Sequence, residues 1–318
     1  MSTAISPGWP GAIWVLWFGL VGLPDRADAR TWHVPAEAPT IQAGIDSAVA
    51  GDVVEVACGT YLEDNIKMKR GIVLRSATGQ PDCVTIDALQ RDRVIDCKFV
   101  PGGAAEIEGF TLTNGWALGQ HLNGGGIRCY NASVQIRRCH FVGNEADFGG
   151  GLFCAGYQSY TEVTVTECLF LGNRATWETT NGGFGGGVFA GINATVHLVA
   201  CRLQENQATN GGGLFWLNPF HPPDLTHCTV VGNQASQAGG GICLRGSGEV
   251  TVFNTDIHQN SAQTGADGFV RDTCSLLLTC CAVDLAAWAG EGEITLDNAD
   301  CPVSQESRSW GAVKALYQ

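Results

Sequence analysis

Cys139-His140, at the head of the stretch "CHFVGNEADFGGGLFC", sets two metal-ligating side chains next to each other, and Gly149-Gly150-Gly151 further along it is the raw material of a phosphate-binding turn. Zinc needs four converging ligands. Adjacent residues of a strand point to opposite faces, so Cys139 and His140 cannot both reach one ion if this stretch is extended. A phosphate loop needs Lys-Ser or Lys-Thr after its glycines and a helix that starts there. Leu152-Phe153 follows instead. Neither chemistry is supported, so the elements that hold these residues have to be read first.

The stretch recurs. "CHFVGNEA" begins at Cys139, "CLFLGNRA" at Cys168, "CRLQENQA" at Cys201 and "CTVVGNQA" at Cys228; "TDIHQNSA" at Thr255 is the same unit with Thr for Cys. The shared asparagines are Asn144, Asn173, Asn206, Asn233 and Asn260, spaced 29, 33, 27 and 27 residues apart. A glycine cluster and then an apolar residue follow each one. Five and three residues before Cys139, Cys168, Cys201 and Thr255 stand apolar pairs such as Val134 and Ile136 or Val163 and Val165, and two residues after the ladder position stand Phe141, Phe170, Leu203, Val230 and Ile257. A period of two predicts strands. The slip of phase just before the cysteine predicts a corner or bulge.

Several short strands per repeat, turning at Asn and Gly, describe one coil of a parallel β-helix. Equivalent residues then stack about 4.8 Å apart. The asparagines are expected to hydrogen-bond up the stack, and Cys139, Cys168, Cys201 and Cys228 to act as small buried apolar residues. Parallel in-register Cβ atoms lie beyond the usual disulfide range of about 3.5–4.5 Å, so these four thiols are expected to be free. Cys58 with Cys83, and Cys280 or Cys281 with Cys274 or Cys301, lie outside the regular stack and are the disulfide candidates. Phe110 starts the stack with Asn114 one place early, and Ala286 stands where the last coil would carry its asparagine. Upstream, Thr40 is placed to cap a short helix with Ile41, Ile45, Ala48 and Val49 on one face, a lid for the first coil.

With coils in hand, the polar residues around the corner become site candidates. Four residues before, one before and one after each ladder position fall Arg138 and His140, Glu167, His197 and Arg202, Asp224 and His227, and Asp256. They are expected to share one face, either as a solvated surface with cross-coil charge pairs or as a polar cleft for a glycan or a metal. The aromatic candidates are Trp116, Trp177, Trp216 and Phe220, read as loop residues whose ring faces suit sugar C–H surfaces or pack the turns on the coil edge. No catalytic residue, metal or cofactor is assigned.

Composition limits the partners. The 318-residue chain has a net charge of −13. It would repel nucleic acid and anionic lipid, and an acidic polysaccharide too unless calcium or a local basic cluster intervened. "GAIWVLWFGLVGL" is too short to span a bilayer, and Ala27-Asp28-Ala29 after it matches a cleavage site. The expectation is a signal peptide over 1–29, a β-helix over 30–285 and a cap or tail over 286–318. It implies export to a secreted, periplasmic or outer-surface location, with no transmembrane helix.

The repeats "FVGNEA…GGGLF" resemble those of chlamydial polymorphic outer-membrane proteins. "WHVPAEAPTIQAGIDSAVAGDVVEVACGTYLEDNI" and "VIDCKFVPGGAAEIEGFTLTNG" resemble the entry segment and first coil of the pectate-lyase-like superfamily. The resemblance covers residues 32–285. It implies an all-β fold, a single right-handed parallel β-helix with a short N-terminal capping helix. It is poor for activity, because the superfamily holds enzymes, adhesins and proteins of unknown role. "GTYLE" at Gly59–Glu63 resembles pectin methylesterases and "NTD" at Asn254–Asp256 resembles polygalacturonases, but the partner motifs of both are missing. The resulting expectation is a non-catalytic surface or secreted protein that meets an extracellular polysaccharide or cell-surface component. The alternative is a polysaccharide lyase or glycoside hydrolase with a divergent site.

Overall fold

The computed structural model describes residues 29–100, 105–118, 123–176, 182–219, 222–297 and 301. Trp177, Phe220, the apolar run near the N-terminus and the tail from 302 lie outside them. The described residues form a parallel β-helix with four stacked sheets of eleven, nine, five and nine strands. Parallel strands joined by crossovers wind right-handed in nearly all known cases. One coil runs Ser133–Arg137, His140–Val142, Glu145–Ala146, Leu152–Ala155; the next runs Thr161–Thr166, Leu169–Leu171, Arg174–Ala175, Val188–Ala190. Each strand pairs in register with its counterpart one coil on, as in Phe141 with Phe170 and Phe170 with Leu203. No helix among the described residues is long and apolar enough to cross a membrane.

The phase slip is a corner. Arg138, Glu167, Ala200, His227, Asn254 and Cys280 each have φ between 47° and 57°, so one left-handed residue per coil turns the eleven-stranded sheet into the nine-stranded sheet that follows it. A second left-handed stack carries Asn114, Gly143, Gly172, Glu205 and Gly232. It explains the early Asn114: this residue fills the corner position, which Asn tolerates, and Gly115 takes the ladder place, its N–H donating to Asn144 Oδ1 (2.9 Å).

The asparagine ladder forms as expected. Asn144, Asn173, Asn206 and Asn233 each donate through Nδ2 to Oδ1 of the next asparagine at 2.9–3.0 Å. That Oδ1 also accepts the backbone N–H of the preceding asparagine. Asn260 has no asparagine beyond it, and Asp267 Oδ1 closes the stack by accepting both Asn260 N (3.2 Å) and Nδ2 (2.9 Å).

The thiols Cys139, Cys168, Cys201 and Cys228 are buried and free, while Cys58–Cys83 and Cys280–Cys301 are bonded. A second thiol stack, Cys97–Cys129–Cys154, lies in register on the inner face of the sheet that follows the glycines. The sequence reading did not find it, because these three cysteines lack the asparagine beside them.

The glycine cluster is a close approach. A Cβ on Gly150 would lie 2.6 Å from the Gly186 carbonyl oxygen and closer still to that of Arg174. At the N-terminal end the helix Ile41–Ser47 covers the first coil, with Thr40 Oγ1 accepting Ala43 N (3.0 Å) and Glu63 accepting Ile41 N (2.8 Å). Ile41, Ile45 and Ala48 are buried. Val49 is not on that face: it lies beyond the helix and is 61% exposed.

Candidate functional site

The polar candidates do not share one face, because the left-handed corner divides them. His197 and Asp224 stand on the eleven-stranded sheet, directly paired in register. His140, Arg202 and Asp256 stand on the next sheet, where Leu169 separates His140 from Arg202 and Thr229 separates Arg202 from Asp256. Arg138, Glu167 and His227 are the corner residues themselves. Arg138 is a strut: its guanidinium pairs with Glu108, lies 3.9 Å from Glu167 and donates to the Gly79 carbonyl at 3.0 Å. Arg202 Nε donates to Gln204 Oε1 (2.7 Å), and the His227 ring meets Phe253 edge-on at 5.7 Å.

A close acid–base contact joins His197 Nδ1 to Asp224 Oδ1. Thr226 donates to Asp224 Oδ2 (3.1 Å). The hydrogen bond to Asp224 raises the His197 pKa against the effect of burial. Burial works against ionisation of Asp224, but His197 holds its carboxyl below the ordinary value. The pair is therefore an ion pair in mildly acidic solution. Thr164 and Thr251 flank it in the same row. Among the described residues no group of three or more His, Cys, Asp or Glu is placed to hold a metal ion.

The aromatic candidates also part ways. Trp116 is 38% exposed on the short strand Trp116–Ala117, beside Glu145 of the next coil. Trp216 is not a loop residue. It lies within the strand Leu214–Leu217, points into the core and is fully buried, with Nε1 lacking a hydrogen-bond partner. In "WLNPFHPPDL" Trp216 and Leu217 close one strand and Asp224 and Leu225 open the next.

A site that the sequence reading missed lies on the outer face of the sheet after the glycines. Its outward row carries Phe153, Phe189, Phe215, Cys243 and Phe269 in register. Phe153, Phe189 and Phe215 stack with centroids 5.2 and 5.6 Å apart and planes within 4°. A second row, from the turn after the ladder asparagine, runs above them: Phe148, Phe184, Asn210, Ala238, Thr264. Phe148 and Phe184 lie over Phe189 and Phe215, at 5.4 and 4.8 Å between centroids.

Where that upper row changes from Phe to Asn, Ala and Thr, the cover is lost. A pocket of about 180 Å³ opens there beside Phe269, the ring of the outward row that is only partly buried; Phe215 and Cys243 line it but stay buried. Arg245 and Arg271 form one wall, and Asn210, Gln237 and Gln263 the other. Asn210 Nδ2 reaches Gln237 Oε1 at 3.4 Å. Arg271 lies 3.6 Å from Asp272, with both side chains well exposed. The floor thiol is no nucleophile: burial pushes the Cys243 pKa up to about 12, even with the two arginines opposing it. The site can offer a ring face, amide hydrogen bonds and positive charge.

No protein-family profile matches the chain. Among curated proteins it is similar to the metabotropic glutamate receptor-like protein R of Dictyostelium discoideum, 23% identical over 178 residues; the match takes in 48% of this chain and spans about a tenth of that protein's length. Among solved structures it is similar to the pectin methylesterase from Aspergillus niger, with 12% identity, a TM-score of 0.41 and 89% of each chain covered. It is also similar to ORF18 of Geobacillus virus E2, with 12% identity, a TM-score of 0.29, and 81% of this chain and 57% of that one covered. The fold assignment stands on the strand register above.

Proposed function

We propose that this is an exported β-helix protein of the secreted or surface-displayed kind, non-catalytic, that presents a small glycan-binding pocket to an extracellular polysaccharide or cell-surface component. The observation that carries the reading is the outer row losing its aromatic cover at Phe269, beside a pocket lined by arginines and amides. A concave site with an apolar floor and a few convergent polar groups is the usual form of a small-ligand site. A ring face, amides and guanidiniums together suit a sugar: C–H surface on the ring, hydroxyls on the amides. The short apolar run before Ala27-Asp28-Ala29 supports export. The resemblance of the repeats to chlamydial outer-membrane proteins supports display.

A second reading, a divergent polysaccharide lyase or hydrolase, draws on the His197–Asp224 pair, since a carboxylate can orient a histidine for proton transfer. The pair is flanked in its row by Thr164 and Thr251, on a different sheet from the pocket. A polysaccharide panel separates the readings. Retention of the purified protein without new reducing or unsaturated ends supports binding. Steady release of such ends means that the chain is an enzyme.

A further inference from the structure

At about 180 Å³ the pocket falls below the roughly 300–1,000 Å³ of drug-sized sites, which suits one ring at a time. Its charge is also unlike that of the molecule. The chain carries −13 overall, yet this pocket is walled by two arginines one coil apart, at successive positions of the same outward row, where Leu217 precedes Arg245. Arg245 makes no ion pair among the described residues, and Arg271 meets Asp272 only at the exposed rim. Guanidiniums recognise planar and tetrahedral oxyanions in bidentate fashion. The opposite wall is built of neutral amides that donate and accept.

We propose that this pocket takes the acidic end of a glycan: a single sugar ring bearing a carboxylate or a sulfate ester. The oxyanion lies against Arg245 and Arg271, the ring face lies on Phe269, and hydroxyls face Asn210 and Gln237. The proposal rests on the glycan-binding reading above and narrows it to one chemistry. The net negative surface then acts as a filter. A polyanion is repelled along its length and held only where a chain end reaches the arginines. Cys243 supplies contact area and no covalent step.

The test is affinity electrophoresis of the full chain through gels containing alginate (carboxylates), dextran sulfate (sulfate esters) or dextran (neutral). The wild-type protein is expected to be retarded by one or both anionic gels more than by dextran; which of them does so identifies the acid group. Arg245→Gln with Arg271→Gln should weaken that retardation about tenfold, the worth of a lost charge-assisted hydrogen bond. Arg137→Gln with Arg174→Gln, the same charge change on exposed arginines elsewhere, should leave it intact. Melting temperatures of all variants should match. If dextran retards as strongly and the pocket variant changes nothing, the acidic preference is wrong while glycan binding stands. If the control pair costs as much as the pocket pair, the effect is general charge and the proposal fails. If no gel retards the wild type, the glycan-binding reading falls and this proposal with it.

Discussion

Thr255 occupies a place that is cysteine in the four coils before it, and it shows what the cysteine does. Its Oγ1 accepts Cys228 N (3.1 Å) and donates to the Phe253 carbonyl (3.0 Å). Cys168 Sγ accepts Cys139 N (3.3 Å) and donates to the Thr166 carbonyl (3.3 Å) in the same way. The ladder thiol is therefore a weak hydrogen-bonding group as well as a small apolar one. Reading it as apolar alone makes valine a near-isosteric replacement, and the structure corrects that. Cys168→Thr should be nearly neutral in chemical denaturation. Cys168→Val should cost about 1–3 kcal/mol, because it leaves the buried Cys139 N–H without an acceptor. Equal stabilities for the two would remove the hydrogen-bonding role. His197 and Asp224 make a second prediction at this scale. The raised His197 pKa contributes stability that is full below its ordinary value of 6.5 and lost as pH rises through the folded value. The lowered Asp224 pKa contributes stability that is full above 3.8 and lost as pH falls. The difference in melting temperature between wild type and Asp224→Asn should thus be largest between those values and shrink in alkaline buffer; a difference that grows there would contradict the pairing.

At the scale of the element, the asparagine ladder depends on its last member. Asp267 ends the stack by accepting two donors from Asn260. Asp267→Ala should cost about 1–3 kcal/mol, because it leaves the buried Asn260 N–H without an acceptor while Asn260 Nδ2 keeps the Val230 and His258 carbonyls, and hydrogen exchange should quicken first in the coils around Asn260. Uniform exchange across all coils would mean that the ladder is not closed there. Gly150→Val should abolish the soluble fold, since the added atoms meet the Arg174 and Gly186 carbonyl oxygens of the next coil; an unchanged melting transition would refute the stacked-turn account. These elements were legible because the ladder position, corner and asparagine keep constant offsets in every coil. The pocket was not. Its upper row follows the ladder asparagine by four residues at Phe148 but by eleven at Phe184, so an insertion in one turn hides the row from any fixed period. Trp216 was misplaced for a different reason: its strand runs straight into the Pro-rich sequence from Asn218 to Pro223, and only the register with Ala190 and Leu244 shows that it points inward.

At the scale of the whole molecule, the solenoid puts its large inner residues in one continuous core and leaves function to rows on its outside. Trp216 and Phe269 sit one on each side of the same sheet, so they separate the two roles. Trp216→Ala should lower stability by about 3–5 kcal/mol and affect retention only through that loss. Phe269→Ala removes the floor of the pocket, where the ring is only partly buried. The most direct test of the account is therefore retention of wild type and Phe269→Ala on the polysaccharide panel, with melting temperature and released sugar ends measured on the same samples. The account predicts that wild type is retained without cleavage, and that Phe269→Ala keeps its melting transition and loses retention. Cleavage products that form with wild type, persist in Phe269→Ala and vanish in His197→Ala or Asp224→Ala would contradict it, and would place the chemistry on the other face of the helix.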